Sequence, residues 1–179
     1  MSVKHFWLKN EDGAPSFLCG AVSVVCDYFN ADLLEKGLDI FVESDVLYIG
    51  SSNEIPIEAA IKSRLTTYMQ NTHVDDPIDF AEYLDGMTMT LKKSKISLDK
   101  IIAAIFSDKG LLQTVTNSQI NDFCASVCHF FSMPKAVYDV SDDLKNNSLV
   151  KEYYVNRPQN ILIVEFTSYA LMLVVGTDI

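Results

Sequence analysis

The sequence has no GxxxxGK[ST] loop, no GxGxxG, no HExxH and no GxSxG. Nucleotide, dinucleotide, zincin and serine-hydrolase readings therefore have no support in it. Basic residues are scarce: 14 Lys+Arg stand against 24 Asp+Glu, a formal net charge of -10. Such a chain repels a polyphosphate backbone, so direct nucleic-acid binding is not expected. Seven glycines and five prolines are too few for a collagenous or low-complexity chain. Long unbroken apolar runs are missing too. The longest candidate, Asn160–Gly176, is interrupted by Glu165, Thr167 and Ser168. It falls short of the roughly 18–20 apolar residues of a bilayer crossing, and no membrane partner is expected. The first residues show no apolar stretch with a small-residue cleavage site, so a secretory signal is not expected. The expected location is cytoplasmic.

What is present is apolar enough to fold: 49% hydrophobic and 11% aromatic residues exclude disorder, which needs low hydrophobicity with high charge. A chain of this mass buries about 70% of its extended surface. No Pro/Gly/Ser-rich linker divides it, so 1–179 is expected to be a single globular domain. Cys19, Cys26, Cys124 and Cys128 sit inside apolar runs, as reduced core thiols do.

Val3–Lys9 reads as a short strand, followed by a turn at Asn10-Glu11-Asp12-Gly13. Ser16–Phe29 has the β-branched content of a buried strand, with a helix opening at Cys19 as the alternative. Leu38–Val42 and Val46–Ile49 read as a hairpin joined at Glu43-Ser44-Asp45. Pro56–Asn71 reads as a helix: Ile57, Ile61, Leu65 and Met69 recur four apart, with Pro56 at its start and Glu58 near its positive end. Asp76 caps a second helix, Pro77–Asp85, and Met87–Leu91 alternates like a half-buried strand. Ser97 caps Leu98–Ser107, and Ser118 caps Gln119–Ser132. A shorter helix is expected over Asp142–Tyr153, then a closing hairpin of Ile161–Phe166 and Ala170–Val175, expected at the centre of the core, with an exposed edge for a partner's strand as the alternative. The pattern predicts an α+β fold, a mainly antiparallel sheet covered by helices.

The charge is uneven. Residues 1–60 hold ten acids and three bases, while residues 61–100 hold six of each. Asp39, Phe41 and Glu43 fall on one face of a strand, because side chains alternate. With Asp45 they make an acidic patch around an aromatic anchor, suited to a basic protein partner. In size, acidity and α+β layout the chain resembles immunity proteins of bacterial contact-dependent growth inhibition and related polymorphic toxin systems. That resemblance implies a non-enzymatic inhibitor that occludes a basic, nuclease-type toxin domain, with Asp39, Phe41, Glu43 and Asp45 as its contact residues and no cofactor. An acidic interaction module of phage or host origin differs from it only in the target.

Three other constellations carry chemistry on paper. Cys124, Cys128 and His129 are a zinc candidate, but zinc needs a second pair, and Cys19 and Cys26 are spaced for it only on a helix. Core packing accounts for these thiols more simply. The piece PSFLCGAVSVV resembles the Cys-Gly start of the catalytic helix in papain-like cysteine hydrolases. It implies Cys19 as nucleophile, with His73 or His129 as base and Asp75 or Asp139 as orienting acid. Lys92, Lys93 and Lys95, with Lys100 nearby, are a basic cluster whose simplest role is a solvated loop.

Overall fold

The computed structural model describes residues 16–50, 54–72, 90–141 and 159–177. Ser16–Glu35 is a twenty-residue α-helix, α1, so the strand expected over Ser16–Phe29 is corrected. Three valines among Val22–Val25 suggested a strand. The 4-3-4 recurrence of buried Val22, Cys26, Phe29 and Leu33 is the helical signal that prevails, because that stripe covers the sheet. Gly37, at φ 71°, ends the helix. Its N–H donates to the Leu34 carbonyl at 2.9 Å, and the Leu38 N–H reaches back to the Leu33 carbonyl at 3.0 Å. This is the left-handed cap that glycine adopts without a Cβ penalty. By length and composition, Phe17–Glu35 also meets the requirement for a bilayer crossing, which corrects the statement that no run does.

Ile40–Tyr48 forms one nine-residue strand, β1, where a hairpin turning at Glu43-Ser44-Asp45 was expected. A tight hairpin needs positive φ in its turn, and the described glycines with that conformation are Gly37, Gly50 and Gly110, none of them within Glu43-Ser44-Asp45. The polar residues have partners off the strand instead: Ser44 bonds the Cys26 thiol of α1, and Asp45 is held by Arg64. Arg64 lies on α2, Ile57–Thr72, close to the expected Pro56–Asn71.

Leu98–Asp108 forms α3, close to expectation, although Ser97 makes no side-chain cap bond. The helix α4 runs over Asn117–Cys128 rather than Gln119–Ser132, and its cap is Thr116, not Ser118. Thr116 Oγ1 accepts from the Gln119 N–H while the Gln119 side chain accepts from the Thr116 N–H, a reciprocal capping box. Ala136–Asp139 is a short strand, β2, that the sequence reading did not contain. Gln159–Glu165 and Tyr169–Thr177 are β3 and β4, the expected closing hairpin. The expected strand Val3–Lys9 and helices Pro77–Asp85 and Asp142–Tyr153 lie outside the described residues, as does most of Met87–Leu91.

The four strands form one antiparallel sheet in the order β1-β4-β3-β2. The fold is α+β, with helices on both sheet faces. One face packs Val42, Val46, Leu162, Val164, Leu171 and Leu173 against α1, α3 and α4. The other packs Leu47, Ile161, Ile163, Met172 and Val174 against Ile57, Ala60 and Ile61 of α2. Burial on both sides explains why β3 and β4 are continuous apolar runs rather than alternating ones. The strand order places that hairpin at the centre and β1 at an edge of the sheet that the described residues form.

Candidate partner-binding site

The alternation of β1 brings Phe41, Glu43 and Asp45 to the α2 side of the sheet, with Asp39 exposed one residue before the strand. Phe41 is half-buried and lies across from Gly176 on β4. Its ring occupies the space a Cβ at Gly176 would need, so part of this aromatic anchor is committed to the sheet. Glu43 is exposed. Asp45 is half-buried: Arg64 Nε and Nη2 both donate to its Oδ1, at 3.0 and 2.8 Å. Asp39 and Glu43 are the exposed acids here.

The structure adds Asp27 from α1. A cleft of about 270 Å³ opens between α1 and β1, with Asp27, Asn30, Glu43, Ser44 and Asp45 in its lining. At its base, burial pushes the Cys26 thiol up to about 11; the Ser44 hydrogen bond lowers it, and the Asp27 and Glu43 carboxylates add to the rise. Both carboxylates therefore act on the same point.

Asn30 defines the edge itself. Its Nδ2 donates to the Val42 carbonyl at 2.9 Å, and the Val42 N–H donates to its Oδ1 at 2.7 Å. Val42 thus turns both backbone groups away from β4. In an antiparallel ladder alternate residues share that direction, so the N–H and C=O of Ser44 and Val46 also project from the outer edge. The amide of Asn30 acts as a one-residue substitute for a neighbouring strand. Nothing in the sequence signalled it, since an asparagine within an apolar helix has no distinctive spacing.

The other candidates separate. Cys19 sits in the first turns of α1 and is half-buried. His129 is the residue after α4 with its ring edge-on to Phe130, and Asp139 accepts from the Ser141 N–H and hydroxyl. His73 and Asp75 lie outside the described residues. Cys124 is buried and its thiol pushed well up, chiefly by burial, while Cys128 is raised for the same reason. Such thiols are poor nucleophiles. Among the described residues no three His, Cys, Asp or Glu side chains group as a metal site.

The lysine cluster lies at the opposite edge of the sheet. Lys93 bridges Tyr138 of β2, and the Ser94 N–H donates to the Val137 carbonyl at 2.7 Å. No family model matches the chain, and comparison with curated proteins and with solved structures gives no match.

Proposed function

We propose that this chain is a non-enzymatic acidic binding protein, an inhibitor of the immunity-protein kind that occludes a basic, nuclease-type toxin domain. The observation that carries the reading is the outer edge of β1. There an outward backbone row at Ser44 and Val46 lies beside the carboxylates of Asp27 and Glu43, with Asp39 exposed at the start of the strand. Main-chain groups give an incoming strand affinity, and the carboxylates select a basic one and speed its approach.

The test begins with the reading frame directly upstream, expressed with and without this chain. The expected result is growth arrest that this chain relieves. Association of the purified pair is then followed by stopped flow against a D39N/E43Q variant. The wild-type rate should exceed the variant's by about tenfold at low ionic strength, with the two converging in high salt. Asp45 is left intact because its carboxylate holds Arg64. No relief of toxicity, or equal rates at low salt, refutes the assignment.

A further inference from the structure

A second surface lies on the outward side of α1. Phe17, Ala21, Val24, Tyr28 and Ala31 recur in alternating steps of four and three residues, the spacing of a helix-packing seam. At about 100° per residue this seam points away from the buried stripe of Val22, Cys26, Phe29 and Leu33. Phe17 is 70% and Tyr28 82% exposed, and no described element covers them. Beside the seam runs a shallow, mainly apolar groove of about 460 Å³ between α1 and α4. Val24, Tyr28, Phe29 and Phe123 supply its apolar lining, and Asp122 stands at its side.

Charge decides what fits. The acids lining the groove are Asp32 and Asp122. Asp32 is paired with Lys36, just past α1, at 2.8 Å. Glu35 closes α1, and neither Ser16–Glu35 nor Asn117–Cys128 contains a base, so the surroundings are acidic on balance. A second copy of the chain would set like charges against like, and an anionic bilayer would be repelled. A helix with an apolar seam and lysine or arginine flanks matches both features.

We propose that the α1–α4 groove and its seam dock a basic amphipathic helix of a partner protein. This goes beyond the β1-edge reading and can fail separately, because Asp39 and Glu43 lie on a different element from Val24 and Tyr28. The probe is a synthetic 18-residue helical peptide with leucine at every a and d position and lysine flanks, titrated into the full chain by fluorescence anisotropy. Saturable one-to-one binding is expected. V24S and Y28S, both at exposed positions, should each weaken it by about tenfold. D122N should weaken it at 50 mM salt and have little effect at 300 mM, and D39N/E43Q should leave it within about twofold. Several results overturn the proposal. One is equal binding of a scrambled peptide, or of one with glutamate in place of lysine. Another is a dimer in sedimentation that Y28S dissociates. A third is retention on neutral phosphatidylcholine vesicles that depends on Tyr28.

Discussion

Replacing Asn30 tests whether its amide holds α1 to the edge of β1. Asn30→Ala removes the bonds at 2.9 and 2.7 Å to the Val42 carbonyl and N–H. At about 1 kcal/mol each the gross loss is about 2 kcal/mol. Alanine recovers roughly 0.6 kcal/mol of helix propensity, leaving a net loss of about 1.4 kcal/mol. Asn30→Asp has nearly the same shape and keeps the acceptor. It replaces the donor with a carboxylate oxygen facing the Val42 carbonyl, with Asp27 and Glu43 lining the same cleft. At pH 7.5 the aspartate variant is therefore expected to be less stable than the alanine variant. Its folded carboxyl titrates above the ordinary value of about 3.9, since the protonated form can donate to Val42. A raised folded value means stability present when protonated and lost as pH rises through it. The deficit relative to wild type therefore narrows as pH falls toward 4.5. Urea unfolding midpoints at both pH values, with unchanged m, give the comparison. An aspartate variant as stable as wild type at pH 7.5, or a deficit that does not narrow in acid, refutes the geometry.

Gly176→Ala places a methyl group in the ring of Phe41 and should cost about 1–3 kcal/mol as overpacking. In a Phe41→Ala background the same change should cost much less, and equal losses in the two backgrounds would separate the residues. Thr116→Ala should lower stability by about 1 kcal/mol through loss of the capping box. Ser97→Ala, at a cap with no side-chain bond, should stay within roughly 0.5 kcal/mol, and thermal melts of the pair decide it. Burial holds the Cys26 thiol up to about 11, so it should resist iodoacetamide at pH 8 in the native protein and react readily in urea. The stability linked to that neutral thiol is present below the ordinary thiol range and lost as pH rises through about 11. Rapid native labelling of Cys26 would contradict its placement.

Local signals carried the elements that need no distant partner. Ile57 and Ile61 recur at helical spacing and define α2; the apolar runs of Ile161–Phe166 and Ala170–Val175 define the central hairpin. Alternation alone put Phe41 and Glu43 on one face. What failed was non-local. Ser44 and Asp45 look like a turn until Cys26 and Arg64 arrive from two helices to satisfy them. The charge of Asp45 looks available until Arg64, nineteen residues on, binds it. The valines of α1 favour a strand by propensity, but propensity yields to the 4-3-4 stripe that the sheet buries.

The two edges of the sheet are treated differently, and the contrast bears on function. An unguarded edge strand invites uncontrolled pairing. At β2 the problem is solved within the chain: the segment around Lys93 bridges Tyr138, and Ser94 bonds Val137. Among the described residues the corresponding device at β1 is one side chain, Asn30, which caps Val42 and leaves the direction of Ser44 and Val46 outward. Acidic side chains flank that stretch, so another acidic edge is repelled and a basic one is drawn in. An edge built purely for protection would gain by extending the cap past Val42. Stopping it there, beside Asp27 and Glu43, is what the proposed docking of a strand of opposite charge requires.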